Sequence, residues 1–125
     1  QVADIRLKDY FGSWESLIDG KLEKVFSSSR RPTAVFASCD RVAQEVYRWC
    51  AARKIRIPED VSVIGFDDEP VAKVLNLTTL AQPFDAMGVK AMELLKQQFD
   101  GHPWNGKETI LPVQLIVRDS VKELK

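Results

Sequence analysis

Three consecutive acids, Asp67, Asp68 and Glu69, follow directly on the apolar run Val61–Phe66 in the stretch IPEDVSVIGFDDEP. Carboxylates at the end of a buried segment either form the polar exit of a strand or stand at the mouth of a ligand site. Asp67 lies nearest the strand and is the least suited to capping a following helix. A carboxylate buried there needs donors, which the hydroxyls of a polyol would supply. A second polar group, Ser38, Cys39 and Asp40, closes the run TAVFASCD. Asp40 opens a helical pattern and reads as its N-cap, a role in which a side chain contributes about 1 kcal/mol, or else as a secondary ligand contact. By spacing alone Cys39 is a small buried apolar residue. Trp14 and Phe84 read either as core or as an aromatic platform for a sugar ring. Carboxylates also hold Mg²⁺ or act as an acid/base pair. Here no nucleophile paired with a base, no phosphate-cradling glycine loop and no metal-spaced histidines accompany them. The single histidine, His102, falls in the loop DGHPWNG and reads as a surface residue. No metal site and no cofactor are expected.

The chain that carries these groups has 125 residues, 45% hydrophobic and 29% charged, which suits one globular domain or part of one. Eighteen basic and eighteen acidic side chains cancel, leaving no electrostatic footprint for phosphate backbones or anionic lipid. Apolar runs are too short to cross a bilayer, and the opening QVADIRLKDY is not a signal peptide, so a cytoplasmic setting is expected. A helix beginning at Asp40 would hold Cys39 and Cys50 about 15 Å apart along its axis, too far for a disulfide.

The positioning elements follow from periodicity. Trp14, Leu17, Ile18, Leu22, Val25 and Phe26 recur at three- and four-residue steps, which predicts a helix over Ser13–Ser27. SSSRRP breaks it. Thr33–Ser38 is continuously apolar, as in a strand buried on both faces of a parallel sheet. The helix after Asp40 carries two stripes, Val42/Val46/Trp49 and Ala43/Tyr47/Cys50. One stripe covers the sheet; the other, ending in Trp49, meets either a second subunit or further neighbours in the same chain. With Val61–Phe66 as a second strand, Thr33–Phe66 has the length of a βαβ unit.

EPVAKVLN reads as a short helix or loop, and LTTLAQP as an extended connection. Asp85–Phe99 reads as a helix stopped by Gly101, and TILPVQLIVRDS as one or two late strands interrupted by Pro112. In an open parallel sheet, ligands bind beyond the carboxyl ends of the strands. Asp67 and Asp68 share that edge with Ser38, Cys39 and Asp40, and Gly65 would allow a close approach from above the sheet. The inventory is lopsided, because the long helix Asp85–Phe99 lies far from any preceding strand that could cover it.

The segments RPTAVFASCD, IRIPEDVSVIGFDDEP, LTTLAQPFDAMGVKAMELL and ILPVQLIVRDS, in that order, resemble the C-terminal part of the effector domain of the LacI/GalR repressor family. The resemblance runs from about Gly20 to Val121. It implies an α/β fold, a three-layer parallel-sheet lobe of a type I, periplasmic-binding-protein-like two-lobed clamp, present incompletely. The C-terminal lobe would comprise about residues 1–80 and 112–125, with about 84–111 contributing to the N-terminal lobe. It also implies that Asp67 accepts from effector hydroxyls, that Gln82 lies at the lobe crossing, and that Phe84 and Trp14 pack against the ligand. Cys39 stands where sugar-binding members often carry Asn, which weakens the case for the usual pyranose.

Val42, Val46 and Trp49 would lie near a homodimer seam. DNA would be bound only by a region absent from this chain, with the effector acting through its differential affinity for two lobe arrangements. Two other readings compete: a periplasmic-type sugar-binding protein of a transporter, and a carboxylate enzyme using Asp67 and Asp68 with Mg²⁺.

Overall fold

The computed structural model describes residues 14–123, with the side chains of the first helix described from Ile18 onward. Helix α1, Trp14–Phe26, precedes strand β1, Ala34–Phe36, and helix α2, Asp40–Ala52. Strand β2, Ser62–Asp67, leads through the short helix α3, Pro70–Val74, into strand β3, Thr78–Ala81. Helix α4, Phe84–Phe99, and strand β4, Gln114–Ile116, complete the order. The strands form one sheet in the order β1-β2-β3-β4. The first three are parallel, and β4 runs antiparallel to β3.

The pairs Val35↔Val63, Gly65↔Thr79 and Thr79↔Ile116 set one face of the sheet; Phe36↔Ile64, Phe66↔Leu80 and Leu80↔Leu115 set the other. Helix α2 packs over the first face, with Val63 and Leu77 fully buried beside it. Its inward residues Ala43, Val46, Trp49 and Cys50 are all buried. Helix α1 closes the far side of α2 with Ile18, Leu22 and Phe26, whose ring centroid lies 4.9 Å from that of Trp49. Arg53 covers the same indole from above, its guanidinium carbon 4.4 Å from the ring centroid. Each such apolar side chain contributes about 1.5–3 kcal/mol by leaving water, so this α1–α2 seam is a principal source of stability.

This packing corrects the expected subunit seam at Val46 and Trp49. Both are buried within the chain, Trp49 to 1% exposure, and Val42 packs partly against the same cluster. The wide stripe on α2 is explained by two intrachain neighbours, the sheet on one side and α1 on the other.

The opposite sheet face is exposed at both edge strands among the described residues. Phe36 on one edge strand is 62% exposed and Leu115 on the other is exposed too, so β1 is not the doubly buried strand its composition predicts. Helix α4 buries no residue, and Met87, Val89, Met92, Leu95 and Phe99 all face solvent. The segment LTTLAQP, expected as a connection, supplies an interior strand whose threonines Thr78 and Thr79 are buried and hydrogen-bonded. After β4 the chain is stitched beneath β2 and β3. Ser120 Oγ donates to Val63 O at 2.6 Å and accepts from Thr78 N at 2.8 Å, while Val63 N donates to Ser120 O. Among the described residues no helix is long and apolar enough to cross a membrane.

Candidate functional site

The carboxyl ends of β2 and β3 lie side by side, with Asp67 paired in register with Ala81. Gln82 follows Ala81 directly, and its Nε2 donates to Asp67 Oδ1 at 2.5 Å. Both side chains belong to half-buried residues, so the acid keeps one oxygen free of this contact and remains within reach of solvent. Pro83 then ends the strand, and Phe84 opens α4 with 56% of its surface exposed. A carboxylate, a primary amide and an aromatic face thus stand within three residues of one register pair. Hydroxyl donors and an apolar ring face are the complementary ligand chemistry.

The backbone at this exit is unusual. Asp67 and Asp68 have φ of 109° and 57°, two successive non-glycine residues in a region that side chains seldom occupy. Such residues persist only where the surroundings over-determine them. Three side chains from three other elements hold the turn. Gln82 takes Asp67; Arg118, just beyond β4, places Nη2 2.6 Å from Asp68 Oδ1; and Asp40 Oδ2 accepts from Glu69 N at 2.7 Å. Arg118 is itself fixed, donating through Nη1 to Leu77 O at 2.7 Å and through its backbone N to Thr78 Oγ1 at 2.9 Å.

Asp40 is neither helix cap nor ligand contact, which corrects both expected roles. Cys39 occupies the N-cap position, with no side-chain cap hydrogen bond, and Asp40 begins the helix proper. The Asp40 side chain is 0% exposed and turns inward, with Oδ1 accepting from Thr79 Oγ1 at 2.7 Å. Gly65 makes room for it: a Cβ there would lie 2.2 Å from Asp40 Oδ1. The close approach expected at Gly65 is therefore made by a carboxylate.

Of the other expected contacts, Cys39 sits half-buried at the same sheet edge, beyond the end of β1. The side chain of Trp14 lies outside the described residues. Both cysteines are free thiols, and burial pushes the Cys50 thiol up to about 11, with nearby Arg53 opposing the shift. Among the described residues no three His, Cys, Asp or Glu side chains group as metal ligands. The Arg118 guanidinium already occupies the face of Asp68 that a second carboxylate ligand would have to offer a cation. Arg118, Thr79 and Ser120 were not singled out from the sequence. The clue for Arg118 was positional: it shares strand parity with Ile116, and a long cation on an inward-facing position needs an anionic partner.

The chain matches the periplasmic binding protein-like domain family over residues 4–121. It is 33% identical over 106 residues to the ribose operon repressor of Haemophilus influenzae, covering 83% of this chain and 32% of that protein. It is 34% identical over 104 residues to the transcriptional repressor PurR of Vibrio cholerae, covering 82% of this chain and 31% of the relative. The chain therefore spans about a third of the length of these relatives. Among solved structures, the transcriptional regulator CelR in complex with cellobiose superposes with a TM-score of 0.75 at 29% identity, over 85% of this chain and 33% of that one. A crystal structure described as a LacI transcriptional regulator from Bacillus cereus shares the fold with a TM-score of 0.80 at 19% identity, over 89% of this chain and 40% of that one. These two relatives are repressors and CelR is a regulator, and the fold is the α/β arrangement common to the superposed structures. The chain belongs to the periplasmic binding protein-like domain family, in the form found in LacI-type transcriptional regulators.

Proposed function

We propose that this chain is the part of a LacI-type regulator that binds a small-molecule effector, and that the effector is a sugar or a related polyol. The observation that carries the reading is the Asp67–Gln82 pair at the carboxyl edge of β2 and β3, beside the exposed ring of Phe84. Hydroxyls would donate to the free oxygen of Asp67. The Gln82 amide, held by the acid on one side, would orient its carbonyl oxygen as a further acceptor. A pyranose or furanose face would lie on Phe84. Cys39 borders the same edge and offers little hydrogen bonding, so selectivity would fall to the carboxylate and amide.

In this reading residues 1–80 and 112–125 belong to one lobe, and α4 with its following loop, about 84–111, to the other. The bare apolar face of α4 supports that division, since a helix presenting Met87, Val89, Met92, Leu95 and Phe99 to water lacks its packing partner. Effector binding between lobes would change the spacing of paired DNA-binding heads carried elsewhere in a homodimer. The ligand would act only by its differential affinity for the two lobe arrangements. The repressor names of the relatives favour this reading over a transporter's sugar-binding protein.

The test is a thermal-shift screen of a two-lobed protein containing this sequence against D-ribose, cellobiose, sucrose and purine bases. Binding to the native state raises apparent stability by about 2.7 kcal/mol at a hundredfold excess over Kd. A sugar that stabilises the wild type and not the Asp67→Asn variant supports the proposal. Stabilisation by a sugar that is unchanged in Asp67→Asn sinks it.

A further inference from the structure

Three consecutive residues, Asp67, Asp68 and Glu69, are each gripped by a side chain from a different part of the chain. A polar strand exit needs no such arrangement, because water would satisfy the same groups. Two of the three grips are withdrawn from solvent. The Asp40 carboxylate is fully buried, and the Arg118 and Asp68 side chains are 15% and 21% exposed. Neither of these bonds is made to Asp67 or Gln82 themselves: Arg118 binds Asp68, and Asp40 binds Glu69. Both act on the residues immediately after Asp67, where the left-handed conformation of Asp68 sets the direction in which the chain leaves the strand.

We infer that Arg118 and Asp40 are positioning residues for the Asp67 carboxylate, holding the strained turn that aims it at Gln82; their relevance to ligand binding rests on the effector reading above. Arg118 anchors the turn to the ends of β3 and β4 through Leu77 O and Thr78 Oγ1, and Asp40 anchors it to the start of α2 and to Thr79. The division of labour is specific. Arg118 fixes the side chain of Asp68, and Asp40 fixes the backbone of Glu69. With either removed, Asp68 would relax toward ordinary dihedrals, and Asp67 would turn away from Gln82 with no change at the edge itself.

The experiment reads the Gln82 side-chain amide of the ¹⁵N-labelled chain by heteronuclear NMR without ligand. Variants are Arg118→Met, Arg118→Lys, Asp68→Ala and Asp40→Asn, with Leu22→Ala in α1 as a control that destabilises without touching the turn. The two Gln82 amide cross-peaks should move toward the positions of a free glutamine in Arg118→Met, Asp68→Ala and Asp40→Asn, and stay in place in Leu22→Ala. The combination of Arg118→Met with Asp68→Ala should shift them no further than either alone. Arg118→Lys, which keeps the charge but loses the fork to Leu77 O, should fall between wild type and Arg118→Met.

Should Arg118→Met fail to fold, Asp68→Ala cuts the same pair and leaves the left-handed position to a residue that disfavours it. Unmoved Gln82 peaks in Asp68→Ala and Asp40→Asn, or additive shifts in the double variant, overturn the inference. Because no ligand is present, that failure would leave the effector reading standing. Conversely, moved peaks together with sugar stabilisation unchanged in Asp67→Asn would reject the effector reading and retain the clamp.

Discussion

Gly65→Ala tests the packing that supports the site edge. A Cβ at this position would lie 2.2 Å from Asp40 Oδ1, 3.3 Å from Asp40 Cγ and 2.8 Å from Leu77 Cδ2. Neither neighbour can retreat easily, since Asp40 and Leu77 are both fully buried. The carboxylate must therefore leave its seat and give up its bonds to Thr79 Oγ1 and Glu69 N. Hydrogen bonds to charged groups contribute about 1.5–3 kcal/mol each, so the loss is about 3–6 kcal/mol. Replacing glycine recovers about 0.4–1 kcal/mol by restricting the unfolded chain, leaving a net cost of about 3–5 kcal/mol.

For a domain of this size that is a large share of the usual 5–15 kcal/mol and lowers Tm by about 10–20 °C. Urea denaturation followed by circular dichroism reads it directly. The reasoning also predicts coupling. In an Asp40→Ala background the same substitution meets only Leu77 and should cost about 1–3 kcal/mol, the range for overpacking. A Gly65→Ala variant within 1 kcal/mol of wild type, or costs that simply add in the double variant, would refute the account of Asp40.

Other expectations follow from the same contacts. With a thiol-reactive dye at neutral pH, half-exposed Cys39 should react promptly, whereas Cys50, buried and with its thiol pushed up to about 11, should react only on unfolding; equal rates in the native state would contradict the burial of α2. Phe26→Ala should cost about 3–5 kcal/mol by opening the α1–α2 seam against Trp49, measured by urea denaturation. Asp60 is held down to about 2, from an ordinary 3.8, mainly by the Arg56 side chain and then by the Arg56 backbone N–H. Its contribution to stability is complete above pH 3.8 and is lost as pH falls through about 2. Asp60→Asn should therefore flatten stability against pH in that acid window and change nothing in its slope above pH 5.

The βαβ unit was legible because Thr33–Ser38, the striped helix and Val61–Phe66 each announce themselves locally, by run length and by period. The strand Thr78–Ala81 did not. A four-residue segment with two threonines before Gln-Pro looks like a connection, and only pairing with β2 on one side and β4 on the other makes it central. Asp40 was misjudged for a similar reason. At the start of a helix an aspartate has a strong local role, and nothing nearby in sequence tells that Gly65 and Thr79, 25 and 39 residues away, leave a seat for it instead. Val46 and Trp49 showed that a face was buried without showing against what. The Asp67–Gln82 meeting depends on a register between β2 and β3 that neither strand specifies alone.

The central claim is that the Asp67 carboxylate, held by Gln82, receives the hydroxyls of an effector. Isothermal titration of the sugar that stabilises a two-lobed protein most, compared between wild type and Asp67→Asn, measures it directly. Loss of one or more charge-assisted hydrogen bonds, about 1.5–3 kcal/mol, predicts affinity weakened by about 10- to 150-fold with folding intact. Equal affinity in the two proteins would contradict the account.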